Sequence, residues 1–198
     1  LLWMATYEGI VAMEWATGHE VVRSESYSVE EPLSFIFELK VWQDYVLGRS
    51  GEDIIVWKRE PTGCKLDDML NANPSSRSWV HPRWLSMSVD AHRGLVMGST
   101  TDKKVRTFHI QTGERVGMFS REDALAHFVE DEDRIALSQH DKTSWAMVRW
   151  ESGRGGTKRE LGFSVHHVAP CASRAYLLFG SKWGAMALVS LASQEVVW

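Results

Sequence analysis

Five hairpin turns set 40–50 residues apart, apolar runs on both sides of each turn, and almost no helical periodicity predict an all-β chain. The predicted fold is a β-propeller of about five four-stranded antiparallel blades, with the first blade incomplete and the whole forming part of a larger ring. The turns are Thr17-Gly18, Thr62-Gly63, Thr112-Gly113, Ser152-Gly153 and Ser193-Gln194. From Gly18 to Gly63 is 45 residues, from Gly63 to Gly113 is 50, from Gly113 to Gly153 is 40, and Gln194 follows 41 later. A repeat of about 40–50 residues holding several strands is the mark of a propeller blade. The glycine has a physical reason, because short hairpin loops need one residue at positive φ.

Taken in order, each repeat parses into strands a to d. The runs are β-branched and aromatic and are bounded by Gly, Asp and Ser. The first repeat shows only b (Leu1–Ala5), c (Ile10–Trp15) and d (Glu20–Arg23). The second has Leu33–Leu39, Tyr45–Gly48, Ile54–Lys58 and a short Cys64-Lys65-Leu66. The third has Trp84–Val89, Gly94–Gly98, Val105–Ile110 and Arg115–Phe119. The fourth has Ala126–Glu130, Arg134–Ser138, Trp145–Trp150 and Lys158–Gly162. The fifth has Val165–Ala169, Ala175–Phe179, Ala185–Leu191 and Glu195–Trp198. The blades therefore fall near 1–23, 33–66, 84–119, 126–162 and 165–198. Leu66–Leu70 and Arg121–Ala126 are the best helical stretches, and both are too short to be stable alone. Residues 63–84 are read as one long surface connection, rich in Asn, Ser and Asp.

Strands b and c are apolar at nearly every position, as in Tyr45-Val46-Leu47 and Ile54-Ile55-Val56-Trp57. A sheet with one wet face would alternate. Apolar on both faces means a sheet held between neighbours, as blades are.

Composition narrows the function classes. The 44% hydrophobic and 24% charged residues are those of a globular chain. Net charge is −4 with no basic stripe, which argues against a nucleic-acid or anionic-membrane partner. No apolar run approaches the roughly 20 residues of a membrane helix. Cys64 and Cys171 stand far apart with no CxxC, which suits an intracellular, reducing compartment, cytoplasmic or nuclear. The chain starts Leu-Leu-Trp without a signal peptide or initiator Met, and its first repeat lacks strand a. It therefore reads as a window on a longer protein with a six- to eight-bladed ring, with a compact five-bladed ring as the alternative.

The third repeat carries a family likeness. Gly98-Ser99-Thr100-Thr101-Asp102, then Val105-Arg106-Thr107-Phe108-His109-Ile110, then Gln111-Thr112-Gly113-Glu114 resembles a WD repeat, with Phe108 where that family usually has Trp. The second repeat adds Gly48, Ser50, Asp53, Val56-Trp57 and Thr62-Gly63, and the fourth adds Ser138, Asp141, Trp145 and Trp150. The first and last repeats look more like the pyrroloquinoline-quinone enzyme repeat, in Ala12–Gly18 and Ala187–Trp198. The Gly-His pair that opens a WD repeat is missing, since Gly18-His19 sits in a c–d turn. The buried Asp-His-Ser-Trp set of that family is therefore not expected in complete form. The resemblance implies an assembly scaffold. Some relatives follow an F-box as substrate receptors or adaptors of ubiquitin ligases, though no F-box lies within these residues.

Enzyme chemistry finds little footing. A quinone-type enzyme would need a calcium site and often a vicinal cysteine pair, and neither pattern is present. His166-His167 sit on a strand and point to opposite faces, so they do not chelate one ion. Ser152-Gly153-Arg154-Gly155-Gly156 opens no helix and so is no phosphate loop. Glu130-Asp131-Glu132-Asp133 reads as a solvated turn. No catalytic residue, metal ligand or cofactor is assigned.

Ten Trp in 198 residues ask for an account. Trp15, Trp57, Trp150 and Trp198 recur beside the c–d turns and read as packing between blades. Trp79, Trp84 and Trp183 fall in or near loops, where an exposed aromatic anchors a partner. The predicted function is a non-enzymatic protein-interaction scaffold. Its partner face is formed by the b–c and d–a loops, with Arg49, Glu52, Arg77, Trp79, Asp102, Lys103, His140, Lys142 and Trp183. A sugar-binding lectin propeller and a quinone-type enzyme are the alternatives.

Overall fold

The computed structural model describes residues 1–6, 9–24, 36–51, 53–60, 63–71, 82–122, 124–129, 133–139, 142–171 and 175–198. They form eighteen strands, β1 to β18, and no helix occurs among them. Contacts divide the chain into two compact units: Leu1–Trp84 with Ile110–Gly113, and Leu85–His109 with Glu114–Trp198.

The first unit holds two sheets. One orders β1 (Leu2–Thr6), β2 (Gly9–Met13) and β3 (Glu20–Arg23). The other orders β4 (Glu38–Trp42), β5 (Tyr45–Arg49), β6 (Asp53–Glu60) and β7 (Gly63–Asn71). Ile10, Val46, Ile55, Trp57 and Cys64 form the core, with Trp3, Val22, Ile36 and Leu39 against it. Gly48 lets Trp57 lie close, since a Cβ there would come within 2.8 Å of the indole. Burial pushes the Cys64 thiol up from its usual pKa.

The second unit holds three. The first is β8 (Ser88–Asp90), β9 (Leu95–Thr100), β10 (Lys104–His109) and β11 (Arg115–Ser120). The second is β12 (Ala124–Phe128), β13 (Arg134–Gln139), β14 (Ser144–Arg149) and β15 (Arg159–Glu160). The third is β16 (His167–Pro170), β17 (Tyr176–Gly180) and β18 (Met186–Ser190). Every sheet is an antiparallel meander in which neighbours in sequence are neighbours in space.

The apolar runs have the reason expected of them. On β14, Ala146 and Val148 join a cluster with Leu95, Met97 and Val105 of the preceding sheet. Trp145 and Met147 join a second cluster with Leu177, Phe179 and Val189 of the following sheet. Alternate residues face opposite ways, so one strand serves two cores. Trp145 meets Phe179 with ring centroids 5.2 Å apart. Hydrogen bonds fasten the stack as well. The Ser88 hydroxyl accepts from Phe128 N at 3.0 Å, and Ser86 Oγ accepts from Ala126 N at 3.3 Å, each forty residues on.

Four of the five c–d turns share one geometry. The N–H groups of Glu14, His109, Arg149 and Ser190 donate to the carbonyls of His19, Glu114, Arg154 and Glu195, five residues on. Within each loop one residue has positive φ: Gly18 (70°), Gly113 (66°), Gly153 (64°) and Gln194 (57°). The hydroxyls of Thr17, Ser152 and Ser193 accept from the N–H two residues ahead, which explains the recurring Thr-Gly and Ser-Gly pairs. Gly63 departs from the set. It pairs with Glu60 as the first residue of β7 across a tighter connection.

Several expectations need correction. Leu66–Leu70 is strand, not helix, because β7 runs beside β6 as far as Asn71 and its backbone groups pair there. The connection expected over 63–84 is thus strand to residue 71, and 72–81 lie outside the described residues. Ala124–Phe128 is strand where a short helical stretch was the alternative. The last sheet has three strands; Val196 contributes only a bridge to Val189, with Trp198 O accepting from Leu188 N. Trp15 is 79% exposed in its turn and Trp198 is 68% exposed, so neither is buried between blades here. Trp84, expected in an exposed loop, is buried. Trp57 and Trp150 are placed as expected, Trp57 in the first unit's core and Trp150 against the cluster of Leu95 and Phe128.

The turn geometry generates a two-sided test. Gln194 holds a left-handed conformation that costs a side chain about 1–2 kcal/mol. Gln194→Gly is expected to raise stability by about 0.5–1 kcal/mol once glycine's extra backbone entropy is offset. Gly153→Ala is expected to lower it by about 1–2 kcal/mol from strain alone, with contact on the Phe119 ring added. Urea midpoints at constant slope read both, and a Gln194→Gly chain no more stable than the parent would refute the turn assignment.

Candidate functional site

The b–c loops carry most of the residues singled out above, and their local chemistry differs from one to the next. At the β9–β10 turn, Arg106 comes from the buried middle of β10 and is 2% exposed. Its guanidinium grips the Asp102 carboxylate in bidentate fashion, with Nη1 donating to Oδ1 at 2.9 Å and Nη2 to Oδ2 at 2.6 Å. Arg106 Nη1 also donates to the Thr100 hydroxyl, which lies 2.5 Å from Asp102 Oδ1. Lys104 Nζ stands 3.8 Å from Oδ2. The Arg106 hydrogen bonds, helped by Thr100 and Lys104, hold the Asp102 pKa down at about 2. A buried arginine needs such a partner, because an uncompensated charge in the interior is costly.

Arg49 is similarly engaged. It lies 3.3 Å from Glu38, donates to the Trp84 carbonyl at 3.0 Å, and sits over the Phe37 ring at 5.5 Å. Its side chain is 16% exposed. Lys103 has φ of 63° and reaches Glu122 Oε1 at 3.1 Å on the surface. Lys142 is exposed, and its carbonyl accepts from Val165 N. Glu52, Arg77, Trp79 and His140 lie outside the described residues.

Among the described residues Trp183 is the most exposed large apolar side chain, at 82%. Its loop is tightly made. Ser181 Oγ accepts from Trp183 N at 3.2 Å and Ala185 N at 3.1 Å, Ser181 N donates to Ala185 O, and Gly184 takes φ of 85°. Lys182 Nζ lies 5.4 Å from the Trp183 ring centroid, a cation–π contact. Asp102, Lys103, Lys142 and Trp183 thus occupy the b–c loops of three successive sheets of the second unit, whereas Arg49 belongs to the first unit.

Composition and spacing had not singled out Arg106, Arg93 or the buried serines. Arg93 closes the β8–β9 turn by donating to the fully buried Asp90 at 2.5 Å and to Asp133 at 3.2 Å. It also covers the rings of Phe128 and Trp150. The readable signals were an Asp four residues ahead of an Arg set between Val105 and Thr107 in the middle of a strand, and an Asp three residues ahead of another Arg. Among the described residues no group of three His, Cys, Asp or Glu is placed to hold a metal ion. His166 and His167 do not converge on one site; His166 Nδ1 sits 3.1 Å from Ser164 O. No helix of the described residues is long and apolar enough to cross a membrane.

The meandering four-stranded sheets define the class: the chain has a β-propeller fold. A solved structure bears this out. The β-propeller domain of Myceliophteria thermophila Cps50 (Swd1) superposes with a TM-score of 0.62 at 13% sequence identity, over 86% of this chain and 56% of that one. The chain therefore spans little more than half the length of that domain's chain. No protein-family model matches the sequence, and no curated protein matches it.

Asp102 generates a pH prediction. A carboxylate whose folded pKa lies below its unfolded value of 3.8 stabilises the fold above that value, and the contribution is lost as pH falls toward about 2. Asp102→Asn should therefore flatten the acid limb of the stability profile between those limits. At neutral pH it should destabilise by about 2–3 kcal/mol, because Arg106 stays buried with a weaker partner. Thermal melts from pH 2 to 7 read both effects. An unchanged acid limb in the variant would remove Asp102 from this role.

Proposed function

We propose that the chain is a non-enzymatic protein-interaction propeller whose b–c loop face binds a protein partner. The observation that carries this reading is Trp183, held out into solvent on a loop tied down by Ser181 and Gly184. An amphipathic ring on a rigid turn loses little entropy on docking, which is why Trp recurs among interface hot spots. Lys182 and Lys142 flank the chemistry with positive charge on two neighbouring loops, which favours a partner surface with acidic groups. Asp102 and Arg49 serve the fold in this reading, and the contact falls to Trp183, Lys182, Lys103 and Lys142.

A finer proposal, resting on the WD-repeat resemblance alone, is a substrate receptor or adaptor of a ubiquitin ligase. That the chain belongs to a propeller of six to eight blades is also a proposal, supported by the 56% share of the Swd1 domain that it matches. A second reading is a lectin, because an exposed indole also stacks on a sugar. The Lys182 ammonium over the ring competes with such stacking, which makes the protein reading the better one.

The test is a quantified binding curve with the partner recovered by crosslinking to the full chain. Trp183→Ala is expected to weaken binding about tenfold or more, with Arg154→Ala on the opposite turn leaving it unchanged. Both side chains are exposed, so folding is unaffected. Binding that ignores Trp183 and depends on Arg154 would place the partner on the other set of loops. Binding of a glycan array through Trp183 would favour the lectin.

A further inference from the structure

A pocket of about 250 Å³ opens in the second unit beside the outer part of β14. It is lined by Arg121, Leu137, Ser138, Ser144, Trp145, Ala146, Gly156 and Lys158. Arg121 arrives from the end of β11, where its N–H donates to Lys103 O at 2.7 Å. Lys158 and Gly156 come from the stretch just before β15. Ser144 shares the face of Ala146, two residues along β14, and is buried, as is Ser138.

Two features make this place unusual. Its two cations meet at one small pocket, yet neither forms an ion pair among the described residues, and no described carboxylate lines the pocket. The nearby acids are engaged elsewhere: Glu122 with Lys103 at 3.1 Å, and Glu160 with Thr143 Oγ1 at 2.5 Å. Second, the buried Ser144 stands on the same face as Ala146, whereas Ser138, paired with Trp145, faces the other core. Two like charges on one pocket repel each other, and one oxyanion between them offsets that repulsion and accepts from the Ser144 hydroxyl.

We propose that this pocket is an oxyanion site that takes a phosphate monoester. A dianionic phosphate matches two cations, and its oxygens accept from Arg121 as a fork and from Lys158 as a point charge. Ser144 supplies a hydroxyl from the floor. The volume exceeds that of a bare phosphate, which leaves room for the ester carbon and what it carries. Leu137 and Ala146 offer that substituent an apolar wall. The site lies on the flank of the fourth sheet, apart from Trp183, and stands whether or not the protein-docking reading holds.

Isothermal titration of the full chain at constant ionic strength in chloride tests it, with inorganic phosphate and O-phosphoserine as probes. Saturable binding is expected, weakened about tenfold or more by Arg121→Ala and by Lys158→Ala, since each removes a charge-assisted hydrogen bond. Both residues are exposed, so the melting temperature of either variant in chloride should match the parent's. Arg154→Ala, a control of equal charge change, should bind as the parent does. A short phosphoserine peptide distinguishes the sources: tighter binding than free O-phosphoserine points to a phosphorylated protein, and equal or weaker binding to a small phosphorylated molecule. The proposal is overturned if neither probe shows saturable heat. It is also overturned if the R121A/K158A chain binds as well as the parent, or if Arg154→Ala weakens binding to the same degree.

Discussion

The fourth sheet must bury two faces, and the second unit shows how that demand organises its neighbours. A four-stranded meander with Val, Ile, Met and aromatic residues at successive positions cannot be wet on either side. β14 answers by sending Ala146 and Val148 one way and Trp145 and Met147 the other, so that the fourth sheet lies between the third and the fifth. Large buried side chains such as Phe128 and Phe179 each contribute about 1.5–3 kcal/mol by leaving water. Nothing in that apolar contact fixes how far one sheet slides over the next. Ser86 and Ser88 do, by accepting hydrogen bonds from backbone N–H groups of β12.

Where both faces of a sheet are used, polar chemistry is left to the loops, and there some groups fasten the fold while others stay exposed. Asp90 with Arg93, and Asp102 with Arg106, fasten. Both are short-range Asp–Arg pairs that close hairpins and bring a guanidinium under cover. Trp183 does not fasten, because its turn is closed by Ser181 and needs nothing from the indole. The same distinction separates Arg49, wrapped against Phe37 and Trp84, from Arg121 and Lys158, which line a pocket with no carboxylate among its described residues. Charge in a loop is therefore a poor guide to binding until its partner is known.

Much of the fold was legible. The spacing of Gly18, Gly113 and Gly153 marked the c–d turns because a hairpin of that length requires one residue at positive φ, and the Thr or Ser ahead of it accepts the next free N–H. Even Ser193-Gln194 kept its place in the period while breaking the glycine rule. Strands b and c were found nearly to the residue, since β-branched runs bounded by Gly and Asp have few other readings. Strand a was less legible, with Trp84 and Leu85 outside β8, because an inner strand is defined by what packs around it. Leu66–Leu70 misled because Asp67-Asp68 before an apolar pair resembles a helix start, and only the partner strand β6 settles it.

The candidate site was legible only in outline. Loop membership of Asp102, Lys103, Lys142 and Trp183 follows from turn positions. Whether each side chain is held or free does not, since it depends on whether the Arg106 guanidinium folds back from β10 onto the turn that carries Asp102. The sequence by itself determined the repeat, the all-β class, the turn residues and the two-faced apolar sheets, because these follow from local conformation and hydrophobic period. Only the tertiary structure decided that Asp102 is an anchor, that Trp84 is buried while Trp15 and Trp183 are not, and that Arg121 and Lys158 meet beside Ser144. Those outcomes depend on groups drawn together from separate strands and turns, and burial, pairing and local charge exist only once the strands have come together.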